Sequence, residues 1–512
     1  MATVSLPARP DLSQLRRRAR ELQRGARTGE GAALTLLGLD APAPTFPLTA
    51  AQRALARTYG FASWARLKHH VEQIQALTWP PTARTPDAGE AAAASPADLV
   101  VRLSCLTWGD AELDPAAAER VLASDPDLPA SSFAVAAVVA DKAAVEQHLR
   151  RGAQVNAPCG PLGWSPLMYL TYSRFAVEED RTLTAARALL GAGADPNDGR
   201  YFDGYPTPFT VLTGVFGDGV SGQPRHRRSL PLARLLLASG ADPNDGQTLY
   251  NRQFSDDDDF LHLLFEFGLG RGDGGPWRRR LPDLTPAPAD LVRTLLDWAV
   301  THEQRSRVAL LAAHGVDVLS PLPTGAWRSG RTPIELALAN GHLELADQLR
   351  ALGAVAAPVD PVESIVQAAL TGDRATVTQA SPEQLAAARR ARPALAVWAA
   401  GQGRAAAVAL VLDAGFDIDA LGRSDVPVEQ PWQTALHTAV ERDDAPLVRL
   451  LLARGANPTL RDSRFDSTAL EWAEHLGRPH LVALLVEATS GRQPPARDVG
   501  AVHPPDDTSS GR

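Results

Sequence analysis

The sequence predicts an all-α chain built as a solenoid of repeated helix-turn-helix units. Three observations predict it. First, Thr434 to Asp462 reads as two short helices and a turn: Thr434-Ala435-Leu436-His437-Thr438-Ala439 opens one helix, Asp444 to Ala453 makes another, and Gly455 with Pro458 ends it. Gly supplies a left-handed stop and Pro forbids continuation. Second, the stop recurs as Gly193-Ala194-Asp195-Pro196-Asn197, as Gly240-Ala241-Asp242-Pro243-Asn244, and in variant form from Arg151 to Asn156, with weaker copies at Gly268, Gly315, Gly353 and Gly415. Third, the start recurs at Ser165-Pro166-Leu167, Thr207-Pro208-Phe209, Thr332-Pro333-Ile334 and Thr468-Ala469-Leu470. In each, Ser or Thr caps the helix, and where Pro follows it takes the first helical position. Such a unit has one apolar face and nothing of its own to cover it, so it needs a like neighbour.

The elements follow in chain order. Residues 1–77 read as a small helical N-terminal domain. Asp11 caps a helix through about Arg27, with Leu12, Leu15, Ala19 and Leu22 on one face and most arginines on the other. Further helices are expected from Glu30 to Leu39, Thr49 to Tyr59 and, capped by Ser63, Trp64 to Leu77. Residues 78–95 form a Pro/Ala linker. The repeats run from 96 to 488, beginning with a divergent capping unit, Pro96 to Leu128. Residues 489–512, rich in Pro, Gly and Ser, are expected to be disordered.

A chain of 512 residues suits several domains or one long array. The net charge of −8 argues against the whole chain being a nucleic-acid binder. The balance is uneven: residues 1–77 carry eleven basic and five acidic side chains, +6, leaving −14 for the rest. Two cysteines, Cys105 and Cys159, make no ligand cluster and no disulfide framework. Without a leader pattern or an apolar run of membrane length, the expected location is cytoplasmic, with no membrane partner.

The repeated Thr-Pro-Leu-type starts, the Gly-Ala-Asp-Pro-Asn stops and the join Gly341-His342-Leu343-Glu344-Leu345-Ala346 together resemble the ankyrin-repeat family. Residues 6–27 and 57–72 resemble the N-terminal helical extension that precedes ankyrin repeats in many bacterial proteins. The resemblance implies about ten or eleven units over 96–488 and a non-catalytic scaffold that grips another protein through its loops and concave face. Units of this family span ~33 residues. Here Gly152 to Gly193 spans 41, Gly193 to Gly240 and Gly268 to Gly315 each 47, Gly240 to Gly268 only 28, and Gly353 to Gly415, read as two degenerate units, 62. The excess falls in loops at 198–205, 218–228, 270–288, 318–331 and 421–433.

These loops hold Trp, Tyr and Arg, the residue types that dominate binding hot spots. The candidate partner-binding residues are Tyr201, Phe202, Tyr205, Trp277, Arg278, Arg279, Arg280, Trp327, Arg328 and Trp432. The competing reading is that each aromatic folds back to stabilise an overlong loop. No catalytic, cofactor-binding or metal-binding residues are assigned, and no small-molecule substrate is expected. The run Asp256-Asp257-Asp258-Asp259 reads as stabilisation of the N-terminus of a helix from Phe260 to Phe267 rather than as a metal site. His437 and His342 fall where this family carries a structural histidine that hydrogen-bonds between layers. Gly270 to Gly275 lacks the flanks of a phosphate loop. The arginines at 16, 17, 18, 20, 24 and 27 read as a solvated helix face; the alternative is a regulatory adaptor that touches nucleic acid or an acidic partner there.

Overall fold

Residues that leave one apolar stripe per short helix fold here as pairs of helices whose stripes face the next pair. The computed structural model describes residues 6–7, 10–78, 94–107, 113–202, 207–219, 222–282, 284–325 and 328–490. Most of the linker and nearly all of the tail expected from the sequence therefore lie outside the described residues, as do Tyr205 and Trp327. The described chain is mostly helical, with two two-residue antiparallel hairpins pairing 199–200 with 209–210 and 324–325 with 328–329. Among the described residues no helix is long and apolar enough to cross a membrane. The chain divides into two compact units, residues 1–299 with 306–317 and residues 300–305 with 318–512.

In the first unit, helices Leu12–Thr28, Gly31–Leu37, Leu48–Thr58 and Trp64–Leu77 fold together ahead of the repeats. Asp11 accepts the Gln14 N–H at 2.8 Å and Ser63 that of Arg66 at 3.2 Å, the two caps expected from the sequence. Leu15, Ala19, Leu55, Ala56, Phe61, Leu67 and Val71 form a core of their own. Beyond them, first helices stack in the order Phe133–Val138, Pro166–Tyr172, Val211–Phe216 and Gly246–Arg252. Second helices stack in parallel, Lys142–Arg150, Glu179–Gly191, Ser229–Ala238 and Asp259–Glu266.

The asparagine of the stop motif rivets one layer to the next. Asn156 Nδ2 donates to the Gly193 carbonyl at 2.9 Å while its Oδ1 accepts the Asp195 N–H at 2.8 Å. Asn197 repeats this on Gly240 and Asp242, and Asn244 on Arg271 and Gly270. A side-chain amide offers one acceptor and two donors, enough to satisfy an open carbonyl and an open N–H of the neighbouring turn at once.

The second unit repeats the layering: Leu395–Gly401, Ala435–Glu441 and Ala469–His475 stack as first helices, and Ala405–Asp413, Ala445–Ala453 and Pro479–Ser490 as second helices. Thr434 caps His437 and Thr468 caps Glu471, each in a reciprocal capping box. Gly455 sits at φ +95°, which an L side chain resists. Leu447, Val448 and Leu451 are fully buried. His437 lies between layers, Nε2 meeting the Ser467 carbonyl at 3.0 Å and Nδ1 the Thr434 hydroxyl at 2.8 Å. His342 is buried likewise, Nε2 meeting the Thr301 carbonyl at 2.9 Å. The stretch from Gly353 to Gly415 contains five helices, one more than two pairs would supply.

Replacing Leu451 by Ala removes a side chain held on both layers, and the fold loses about 2–5 kcal/mol. The half-exposed Leu343, replaced by Ala, changes stability by no more than about 0.5 kcal/mol. Urea unfolding of the two variants checks the contrast; equal losses refute the layer assignment.

Candidate functional site

Loops between helix pairs leave the stack as fingers, and short antiparallel pairings close several of them just before the next helix cap. Cys159 bridges Trp164 ahead of Ser165, Gly422 bridges Gln433 ahead of Thr434, and Arg461 bridges Thr468 itself. The pairing fixes the base of each finger, so side chains beyond it are presented from a rigid root.

In the first unit two of the expected contact residues, Tyr201 and Trp277, turn inward. Tyr201 and Trp277 are buried, and their rings meet edge to face with centroids 5.7 Å apart. The Trp277 indole N–H donates to the Asn197 carbonyl at 2.9 Å. Leu281 completes the cluster, and Leu77 and Leu284 pack against it. The Tyr201 N–H donates to the Leu77 carbonyl at 2.9 Å, and Tyr201 pairs with Thr78 in a parallel bridge. These two rings therefore pack the end of the helix Trp64–Leu77 against Tyr201 and the segment 277–281 and are not displayed to solvent. Burial pushes the Tyr201 phenol well above its ordinary value. Phe202 is half-buried against Phe209, ring centroids 4.4 Å apart.

The insertion at 270–288 is not a plain loop, because Gly275–Arg280 is helical. Arg278 is half-buried along it. Arg279 is exposed and pairs with Asp273 at 2.7 Å, and Arg280, also exposed, lies over the Trp277 ring at 5.3 Å. Arg328 belongs to the 324–329 hairpin through its backbone.

In the second unit the fingers at 421–433 and 461–467 come together. The Ser463 N–H donates to the Trp432 carbonyl at 2.8 Å, and the Ser463 hydroxyl to the Pro431 carbonyl at 2.8 Å. Two guanidinium groups lie over the Trp432 ring, Arg423 at 4.3 Å and Arg464 at 4.7 Å from its centroid. Arg464 also lies 4.9 Å from the Phe465 ring. Phe465 is 58% exposed, the most exposed large aromatic among the described residues. Arg423 is held by Asp425, Nε to Oδ1 at 2.7 Å, whereas Arg464 pairs with no carboxylate among the described residues. The result is an alternating ladder, Arg423–Trp432–Arg464–Phe465, across two neighbouring fingers. Each cation–ring step contributes roughly 0.5–1 kcal/mol at an exposed site.

One buried carboxylate shapes this ladder. Asp462 accepts the N–H groups of Arg464 at 2.8 Å, Phe465 at 2.6 Å and Ser467 at 3.0 Å, and the Trp472 indole N–H at 3.1 Å. Burial opposes its charge, but these donors outweigh burial and hold the carboxyl below its usual range. The turn they close points Arg464 and Phe465 outward. Sequence reasoning found Trp432 but missed Arg464 and Phe465, because 461–467 is of ordinary length and only contact with the longer finger makes it part of a surface.

The acidic run finds a different employment from helix stabilisation alone. The helix is Asp259–Glu266, and the Asp257 carboxylate does accept the Asp259 N–H at 2.8 Å. Asp257 also pairs with Arg225 at 2.5 Å and Arg252 at 3.3 Å, and Asp258 with Arg307 at 2.6 Å. Arg252 and Arg307 are buried, lying 5.1 and 5.9 Å from the Phe260 ring. The carboxylates thus serve as counter-ions for two arginines taken out of water. His342, beside Glu303 at 3.2 Å, is likewise committed to a layer contact, with Arg404 donating to the same Glu303 at 2.8 Å.

Residues 423–473 match the family model described as ankyrin repeats (many copies). No curated protein matches the chain.

Changing Asp462 to Ala strands four donors, and unfolding stability falls by about 1–3 kcal/mol. Because its folded-state value is depressed, the Asp462 contribution is present above the unfolded carboxylate value of ~3.9 and fades as pH falls through the lower folded one. The difference between wild type and Asp462→Ala in thermal melts should be full at neutral pH and shrink below about pH 4; a pH-independent difference refutes the ionised role.

Proposed function

We propose, from the premise that the chain is an ankyrin-repeat protein, that it is a non-catalytic scaffold binding another protein through its loop fingers and the helix face beside them. The repeats, on this reading, form one array of ten or eleven units over residues 96–488, preceded by the helical domain at 1–77, and work in the cytoplasm. The observation that carries the reading is the Trp432–Arg464–Phe465 ladder: an exposed aromatic and an uncompensated guanidinium held on two rooted fingers. Trp and Arg are enriched where few residues carry most of a binding energy. Their rigid mounting lowers the ordering cost of association.

Arg279 and Arg280, exposed on the first unit, are further proposed contact residues of that unit, with Tyr205, Trp327 and Arg328 retained on sequence grounds. Tyr201, Phe202, Trp277 and Arg278 act in it as supports that hold a finger in place, since Tyr201 and Trp277 are buried and the other two half-buried. No reaction is proposed, and no cofactor is needed for the mechanism, which is presentation of fixed side chains.

Capture of proteins from native extract by the full chain tests this. Replacing Trp432, Arg464 and Phe465 by Ala should weaken partner retention at least thirtyfold, the measure of a hot spot of about 2 kcal/mol, with the circular dichroism and melting midpoint kept. Undiminished retention by a folded variant rejects this surface.

A further inference from the structure

The helix Leu12–Thr28 carries a second feature that protein binding through the fingers does not use. Arg16, Arg17, Arg20, Arg24 and Arg27 are all exposed. At 100° per residue they fall within one sector about 100° wide, and Arg16 to Arg27 covers roughly 16 Å of helix. The opposite side of the helix, Leu15, Ala19 and Ala26, is buried, with Leu15 and Ala19 in the core shared with Leu55 and Ala56. Arg27 is steadied by the Phe46 carbonyl at 3.0 Å, and Arg18, outside the sector, by the Tyr59 hydroxyl at 2.6 Å.

None of the five meets a carboxylate among the described residues. Arginines elsewhere do: Arg234 pairs with Glu266, Arg293 with Asp317, Arg374 and Arg454 with Asp413. In a chain of net charge −8, this helix thus presents a row of guanidinium groups without an ion-pair partner among the described residues, Arg17 alone lying within electrostatic reach of a carboxylate, Asp11. The i,i+4 pairs Arg16–Arg20 and Arg20–Arg24 are like charges that destabilise the bare helix.

We propose that this row is a binding site for the phosphate backbone of a nucleic-acid duplex, without sequence preference. The occupant follows from what the face lacks. An interface with an acidic protein has an apolar, desolvated centre, and this sector is guanidinium only. A membrane-surface helix needs a free apolar face to insert, and here that face is already in the core. Base recognition in single strands needs aromatic platforms, which the sector does not hold. A duplex presents one negative charge per ~1.7 Å, and binding through released counter-ions needs arginines and nothing more.

Fluorescence anisotropy of a short labelled duplex of mixed sequence with the full chain tests the proposal. Four phosphate contacts predict a slope of log affinity against log salt of about −4, so affinity falls roughly a hundredfold between 50 and 200 mM salt. In Arg16→Gln/Arg20→Gln/Arg24→Gln the slope should shrink to about −1, with helicity retained by circular dichroism. In Arg374→Gln/Arg454→Gln, whose targets are paired arginines, it should stay at the wild-type value. The proposal is overturned by any of these: no binding at 50 mM salt, equal loss of slope in both variants, or tighter binding to phosphatidylserine vesicles or poly-glutamate than to duplex at equal charge.

Discussion

A layer of two short helices has one apolar face and cannot keep water from it alone. Everything regular in this protein answers that constraint. Leu447, Val448 and Leu451 are fully buried because the preceding and following layers close over them. The same stacking leaves turn carbonyls and N–H groups open at each layer edge, and unpaired buried backbone is costly. Asn156, Asn197 and Asn244 satisfy both kinds of group in the next turn. One motif therefore ends a helix, turns the chain and fastens the following unit.

Where the spacing exceeds that of a plain unit, the surplus becomes fingers, and their fate differs. Tyr201 and Trp277 found partners that suit burial: an edge-to-face ring contact, a carbonyl for the indole N–H, and Leu77 from the N-terminal helices. A buried indole needs such a carbonyl. Trp432 has guanidinium groups on its ring and, among the described residues, no hydrogen-bond acceptor for its buried N–H, and the neighbouring Phe465 remains mostly in solvent. Insertions of similar composition thus act as internal struts in one place and as displayed surface in another.

Charge is distributed by the same logic of partners. Arg252 and Arg307 could leave water because Asp218 and Asp257 came with the first and Asp258 with the second, and desolvating an ion without its partner is far more expensive. The N-terminal arginines stayed in water and needed none. Reading Asp256 to Asp259 as stabilisation of a helix end was sound for Asp257, but the partners Arg225 and Arg307, 32 and 49 residues away in sequence from Asp257 and Asp258, were out of reach of any local argument.

By itself the sequence determined the local features. The caps at Asp11, Ser63, Thr434 and Thr468, the left-handed stop at Gly455 and the helix faces all follow from interactions within one turn of chain. It also determined which loops are overlong, and so that Trp277 and Trp432 lie off the regular frame. Only the tertiary structure decided which way each finger faces. Packing of Leu77 under Tyr201, the joining of residues 461–467 to 421–433, and the outward pose of Arg464 and Phe465 above Asp462 are contacts between distant segments. Composition records that such side chains are present; burial depends on what the folded neighbours leave uncovered, and no local interaction carries that information.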